Sequence, residues 1–513
     1  MTHNYIRKIL ESRVYDVATE TPIHPASFLS RRLNNQILIK REDLQSVYSF
    51  KIRGAYNKIS SLTPAEKKRG VVTASAGNHA QGVALAASKL GINAVIVMPG
   101  TTPEIKIRAV RARGAQVILR GDTFDEALAH SMELVEQQGY SYIHPYDDPE
   151  TIAGQGTIGM EILRQHSGDL TAIFIPVGGG GLAAGISAYI KYLRPEIKVI
   201  GVEFEESACL KAALEKGRPV TLHHVGLFAD GVAVARIGEE SFKLCQEYID
   251  EVVTVTSDEI CAAIKDIFDD TRSITEPAGA LGTAGLKKYI EEKGLSGQTL
   301  LAINSGANIN FDRLRYVSER AEIGEKREAI LSVTIPEQPG SFKQFCELLE
   351  RRNITEFNYR YHDPENARIF VGVQVSPDQL PIARLVETLI NKHYAVEDLT
   401  DNELAKLHIR HMVGGHTAAV KHERIYRFEF PERPGALLNF LTKLGSDFNI
   451  SLFHYRNHGA AYGRVAVGLD IPPEKKDHIE RFLDEIGYSY KEETENSAYQ
   501  SFLGNGEPVS NSV

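Results

Sequence analysis

Thr171-Ala172-Ile173-Phe174-Ile175-Pro176-Val177-Gly178-Gly179-Gly180-Gly181-Leu182 is the stretch on which the fold turns. Its first seven residues are β-rich and read as a strand. Four glycines follow, and a helix starts near Leu182. A strand that feeds a helix through a tight turn is half of a parallel βαβ unit. The pattern recurs from about residue 36 to 320. Val71-Val72-Thr73 reads as a short strand before an Ala-rich helix from Asn78 to Leu90. Ala94 to Met98 is another strand, closed by Pro99-Gly100, and Ala115 to Leu119 precedes a helix from Phe124 to Gln137. Lys198 to Phe204, Val252 to Thr256 and Thr299 to Asn304 complete the set. Sheets of this kind bind ligands at the carboxyl ends of their strands. The loops at 74–78, 178–181 and 305–308 each follow an expected strand directly.

Those loops carry chemistry. Glycine lets successive backbone N–H groups turn toward one anion, and a helix N-terminus adds a favourable dipole. The run lacks the lysine and Ser/Thr of a nucleotide P-loop and the spacing of a dinucleotide fingerprint. Ser49-Phe50-Lys51-Ile52-Arg53-Gly54-Ala55 places a lysine before a helix, with Gly54 allowing close backbone approach. A lysine amine must be neutral to attack an aldehyde, and burial or a nearby cation lowers its pKa. Ser75-Ala76-Gly77-Asn78-His79-Ala80-Gln81-Gly82 and Ser305-Gly306-Ala307-Asn308 add a polar side chain and a small hydroxyl. Taken singly, each has a plainer account: a solvated lysine, Asn78 as a helix N-cap, a structural His79, a serine at a strand end.

After about residue 325 the texture changes. Ala329-Ile330-Leu331-Ser332-Val333-Thr334-Ile335-Pro336-Glu337-Gln338-Pro339-Gly340 is repeated as Arg424-Ile425-Tyr426-Arg427-Phe428-Glu429-Phe430-Pro431-Glu432-Arg433-Pro434-Gly435, a shift of 95. Asn358-Tyr359-Arg360 matches His454-Tyr455-Arg456, and Arg368 to Val373 matches Arg464 to Leu469, at a shift of 96. Each copy reads strand, Pro-Gly turn, helix, strand, turn, strand, helix, a small α+β sandwich.

The 513 residues allow more than one domain. A net charge of −9 without a lysine/arginine block argues against nucleic acid or an anionic membrane as partner. No apolar stretch approaches a membrane span, and Met1 to Arg13 lacks a signal peptide's apolar core. Cys209, Cys245, Cys261 and Cys346 show no metal-type pairing, and no metal is expected. Idle thiols fit a reducing cytoplasm.

The four motifs, in this order, resemble the serine/threonine dehydratases of the fold-type II pyridoxal-phosphate enzymes. The doubled Pro-Gly repeat resembles the paired ACT-like regulatory domains of the biosynthetic threonine deaminase branch. The resemblance covers nearly the whole chain. It implies an α/β catalytic domain of parallel-rich twisted sheets with flanking helices at 1–322, then α+β ACT-like domains at 329–401 and 423–496. It implies pyridoxal 5'-phosphate as cofactor and conversion of L-threonine, and of L-serine, to an oxoacid and ammonia. That is 2-oxobutanoate from threonine, the first committed step toward isoleucine. Carried over residue by residue, Lys51 would be the covalent anchor and the base at the α-carbon. Asn78 would hydrogen-bond the pyridine hydroxyl, and Gly178, Gly179, Gly180, Gly181 and Leu182 would wrap the phosphate. Ser305 would face the pyridine nitrogen, and Ser75, Ala76 and Gly77 would receive the substrate carboxylate. A serine opposite that nitrogen leaves the ring largely neutral, a shallower electron sink that favours β-elimination over transamination.

The repeats are expected to sense the end product: isoleucine as inhibitor, valine as activator, on a homotetramer. Gly340 and Gly435 would permit close approach of an amino acid at the turns Glu337–Ser341 and Glu432–Ala436, with Tyr359 and Tyr455 as further contacts. Rival readings are another fold-type II enzyme (a sulfhydrylase, a cystathionine synthase or a serine racemase) and an amino-acid-sensing binding protein. Sulfhydrylases use a threonine-containing Gly-rich loop, the doubled repeat argues against a racemase, and an intact Lys51 argues against a mere sensor.

Overall fold

The computed structural model describes residues 2–336, 344–345, 348–349, 354–359, 365–376, 381–411, 422–431, 440, 443, 448–456 and 462–503. The chain separates into two compact units, Met1–Ala321 and Glu322–Val513.

The first unit is built on two sheets. In spatial order the larger runs Ile23–Pro25, Gln36–Arg41, Thr299–Asn304, Ala172–Pro176, Lys198–Phe204, Glu251–Val255. Ile23–Pro25 pairs antiparallel at the edge, and the other four pairings are parallel. The smaller sheet runs Gln116–Leu119, Ala94–Met98, Val71–Ala74, Ser141–Tyr142, all parallel. Every strand expected by residue number in this unit is present, each end within one residue of its expected place. Helices follow from local chemistry. Thr123 and Glu126 form a reciprocal capping box that starts Phe124–Gln138, and Gly139 at φ +71° ends it.

Gln36–Arg41 is a central strand that ends in two charges, and Lys40 is fully buried. Its ammonium donates to Glu161 at 2.6 Å. Glu161 also accepts from Arg53 at 2.6 and 3.0 Å, and Arg53 forks onto Glu42 with two bonds of 2.8 Å. All four side chains are sealed from solvent. Two cations and two anions cancel, and paired, hydrogen-bonded charges are the tolerable way to bury any. The quartet joins the Gln36–Arg41 strand, the Glu42–Leu44 turn, the helix Lys51–Ser61 and the helix Pro149–Gln165. It thereby fixes the helix that Lys51 begins.

The second unit repeats one topology. Its sheets run Ile354–Tyr359, Asn366–Gln374, Glu328–Pro336, Ala395–Asp398 and Asn449–Arg456, Tyr462–Asp470, Glu423–Pro431, Tyr490–Glu492. All pairings are antiparallel. Even a register irregularity recurs, between Ile354 and Glu356 and again between Ile450 and Leu452, the expected shift of 96. Each copy has its own apolar core. A third cluster, with Ile330, Phe370 and Leu404 from one copy and Ile425, Tyr499 and Phe502 from the other, joins them. Gly340 and Gly435 lie outside the described residues. Tyr359 and Tyr455 occupy matching places, paired with Ile369 and Val465. Among the described residues no helix is long and apolar enough to cross a membrane.

Candidate active site

The informative loops of the first unit gather at the carboxyl ends of its strands. Lys51 is the first residue of the helix Lys51–Ser61. Phe50, just before it, donates its amide to the Ser305 carbonyl at 3.2 Å, and Ala307 donates back to Tyr48 at 2.8 Å. The lysine loop and the serine loop are thus laced together by backbone. The Lys51 ammonium donates to the Pro145 carbonyl at 2.9 Å and lies 5.2 Å from the centre of the Phe50 ring. Loss of hydration pushes it down to about 8, against the pull of Glu276. The depression expected of Lys51 comes from burial, and the neighbouring charge is an anion that opposes it.

Ser75, Ala76 and Gly77 form the turn between Val71–Ala74 and the helix Asn78–Lys89. The Ser75 hydroxyl accepts from the amides of Gly77 and Ala80, both at 3.3 Å. A Cβ on Gly77 would meet open space, so this helix N-terminus presents a clear face. Asn78 is not the cap; Gly77 holds that position. The Asn78 side chain turns away, donating to Glu276 at 2.5 Å and accepting from the Asn308 amide group at 2.6 Å. One N–H of a two-proton amide is thereby used and the other is left for a ligand. His79 keeps its plainer role. It is buried, its Nε2 bonds the Ile143 carbonyl at 2.9 Å, and burial with nearby Lys51 pushes it down to about 3. Since a carbonyl only accepts, Nε2 carries the proton and the ring is neutral.

The four glycines run from the strand Ala172–Pro176 into the helix Gly181–Leu193, and Leu182 sits in the core. Gly180 has φ +91°, a conformation that side chains resist. A Cβ on Gly179 would fall 2.2 Å from the Tyr146 ring, which lies against the loop. Ser305 follows Thr299–Asn304 and is buried. Its hydroxyl donates to the Ala278 carbonyl at 3.2 Å. A hydroxyl has one proton, so donating to a ring nitrogen would require it to leave Ala278.

Glu276 is the residue that sequence reasoning missed. It is buried, and its carboxylate also accepts the Asn308 amide at 3.0 Å. Burial first, then the charge of Asp230, push it up to about 7; the Asn78 bond and Lys106 oppose. One signal was available. Glu276 directly precedes Pro277, and proline favours the first helical position, so a glutamate falls at the N-cap, where Ser, Thr, Asp or Asn is favoured.

These residues fit a phosphorylated pyridine aldehyde. They offer a lysine of depressed pKa, a glycine cradle at a helix N-terminus and an oriented amide with a spare proton.

Comparison with known proteins agrees. The chain matches the family described as pyridoxal-phosphate dependent enzyme over residues 14–306. It matches the C-terminal regulatory domain of threonine dehydratase twice, over 319–409 and 414–503. It is 55% identical over 505 residues to the biosynthetic L-threonine dehydratase of Burkholderia multivorans, covering 98% of this chain and 99% of that one. Among solved structures it is similar to the processed form of threonine deaminase isoform 2 from Solanum lycopersicum, with a TM-score of 0.62 and 53% identity over 62% of this chain and 93% of that chain. It is also similar to serine racemase from Dictyostelium discoideum, with a TM-score of 0.56 and 32% identity over 60% of this chain and 98% of that chain.

Proposed function

Since the chain belongs to the pyridoxal-phosphate dependent enzymes and carries the doubled regulatory domain of threonine dehydratase, we propose that it is a biosynthetic threonine ammonia-lyase, converting L-threonine to 2-oxobutanoate and ammonia. The carrying observation is the joint presence of the Lys51 site and the doubled repeat, because the catalytic fold is shared with racemases. Pyridoxal phosphate, when bound, supplies the electron sink that makes the α-proton of an amino acid removable.

The chain's own residues do the rest. Lys51, held at the head of its helix by the Arg53 quartet, would hold the cofactor's aldehyde carbon, and its amine would take the α-proton. A pKa of about 8 keeps a usable fraction of its amine neutral near pH 7. The Ser75-Ala76-Gly77 turn receives the substrate carboxylate on a helix N-terminus. Gly178 to Gly181, with Leu182, grip the phosphate through backbone N–H groups. Asn78, oriented by Glu276 and Asn308, would meet the ring hydroxyl, and Ser305, its hydroxyl released from Ala278, would meet the ring nitrogen.

The catalytic domain is taken as 1–322 and the regulatory domains as 329–401 and 423–496. Isoleucine inhibits through the latter and valine activates. The enzyme is a cytoplasmic homotetramer that also accepts L-serine.

A steady-state assay of purified protein on L-threonine and L-serine, with and without isoleucine, tests this. Equal release of 2-oxobutanoate and ammonia, suppressed by isoleucine, is expected. Cofactor-loaded protein that turns L-serine mainly into D-serine and yields no 2-oxobutanoate would favour the racemase reading.

A further inference from the structure

We propose that two buried thiols, Cys209 and Cys245, are positioning residues that aim the glycine loop at the cofactor phosphate. Both side chains are fully buried. Cys209 Sγ lies 3.3 Å from the Gly178 carbonyl, and Cys245 Sγ lies 3.8 Å from the Gly180 carbonyl. Between them the Gly179 carbonyl accepts the Gly238 amide at 3.3 Å. Three successive carbonyls of the loop are therefore each held by a partner.

The consequence is geometric. A trans peptide is planar, so its C=O and N–H point in opposite directions. A Gly178 carbonyl drawn onto Cys209 turns the Gly179 N–H away from the thiol. A Gly180 carbonyl held by Cys245, and by the Ala184 amide at 2.8 Å, turns the Gly181 N–H away from Cys245. These are the N–H groups assigned to the phosphate.

The thiols remain donors. Burial first and the charge of Glu203 second push the Cys209 thiol far above its ordinary range, and the same pair of causes acts on Cys245. Glu203, which accepts the amides of Leu210 at 2.7 Å and Lys211 at 2.9 Å, is also hydrogen-bonded to the Cys209 side chain, so the single Cys209 proton has two acceptors, this carboxylate and the Gly178 carbonyl. A thiol is a weak donor of about the right length here. A serine keeps the donor and an alanine does not.

The proposal rests on pyridoxal phosphate as cofactor, and its test separates the two. Dissociation constants of pyridoxal 5'-phosphate and of unphosphorylated pyridoxal are measured on full-length protein freed of cofactor. Wild type, Cys209→Ala, Cys209→Ser and Cys245→Ala are compared, with the unfolding midpoint of each cofactor-free protein. In Cys209→Ala the preference for the phosphorylated form should fall about three- to tenfold, the range of a net hydrogen bond, with pyridoxal affinity unchanged. Cys209→Ser should recover most of it, and Cys245→Ala should lose less, in keeping with its longer contact. An unchanged preference in Cys209→Ala overturns the proposal. So does a loss that falls equally on both ligands and follows the midpoint, which would make the thiols mere packing. Wild type that binds neither ligand would instead remove the cofactor reading.

Discussion

The Asn78 side-chain amide donates to a Glu276 carboxylate oxygen at 2.5 Å across 198 residues of chain. The same carboxylate lies near enough to Lys51 to favour its charged form. One buried acid thus orients the Asn78 amide and tunes the Lys51 amine. Buried charges that push pKa values away from their ordinary places concentrate at functional sites.

Cofactor capture should therefore follow the Lys51 amine. Only the neutral amine attacks an aldehyde, and burial pushes Lys51 down to about 8. The rate at which cofactor-free protein takes up pyridoxal phosphate should rise with pH through a midpoint near 8. Glu276→Gln removes the anion that supports the charged amine, so the midpoint should move to lower pH. Stopped-flow absorbance reads it; the same midpoint in both proteins would disconnect Glu276 from Lys51.

Lys51→Met should abolish turnover and yet stabilise the cofactor-free protein at pH 7. The sign follows from linkage. The folded-state pKa, about 8, is below the ~10.4 of an unperturbed lysine. Between those values the folded protein binds fewer protons than the unfolded one, so stability rises with pH there and the full cost is felt below about 8. Discounted for partial exposure, the gain at pH 7 should be about 1–3 kcal/mol and should vanish above about pH 10.4. Denaturant midpoints at pH 7 and pH 10.5 measure it. A variant less stable than wild type at pH 7 would mean that the lysine bears no desolvation cost.

Arg53→Ala should be among the most destabilising single changes in the first unit. Arg53 joins Glu42 and Glu161, and removing one partner of a buried ion network strands the rest at a cost of about 3–5 kcal/mol. Lys51 heads the same helix, so cofactor affinity should fall too. Urea unfolding followed by cofactor absorbance would show both; a loss under about 1 kcal/mol would mean water reaches the stranded carboxylates.

Much of this was legible in the sequence, and what was not has a physical reason. Thr171–Val177 announces itself as an apolar run bounded by turn residues, and in Lys198–Phe204 four apolar residues, Val199, Ile200, Val202 and Phe204, outweigh the two charges. Gln36–Arg41 is harder, because two of its six residues are charged and the partner that makes Lys40 tolerable, Glu161, lies 121 residues away. Ser141–Tyr142 is too short to show any period. At the site, Lys51, Asn78 and the glycines stand in recognisable runs. Glu276 has no such neighbourhood, and its meaning comes from Asn78 and Asn308, which only the folded chain brings to it. Asn78 could as well have been a cap, and the choice depended on those same partners.

Ser305→Asp should change the reaction and keep the fold. Ser305 is buried, and its hydroxyl donates to Ala278. An aspartate there can only accept while ionised, which favours a protonated ring nitrogen and a deeper electron sink. Side reactions, transamination above all, should rise relative to dehydration. Product ratios and the spectrum of the bound cofactor report it. If neither changes, the nature of residue 305 does not decide between elimination and transamination.

Removing the second unit should separate catalysis from control. The unit boundary falls at Ala321 and Glu322, and the helix Arg313–Gly324 ends just beyond it. A chain stopped after Glu325 keeps that helix whole and ends before the strand Glu328–Pro336. It retains Lys51, Asn78, the glycine loop, Glu276 and Ser305, so it should keep turnover. It lacks both repeats, and with them the turns Glu337–Ser341 and Glu432–Ala436, which lie outside the described residues. A ligand inhibits only by binding a less active state better than the active one, and equal affinity shifts nothing. Coupling of about 1–3 kcal/mol is the usual scale, and it is lost if the binding site is lost. The truncated enzyme should therefore dehydrate threonine with hyperbolic kinetics and ignore isoleucine at concentrations that silence the full chain. Its assembly, followed by light scattering, should change if the repeats also join subunits. Persistent inhibition by isoleucine with unaltered cooperativity would place the sensor in the first unit, and the doubled repeat would then need another purpose.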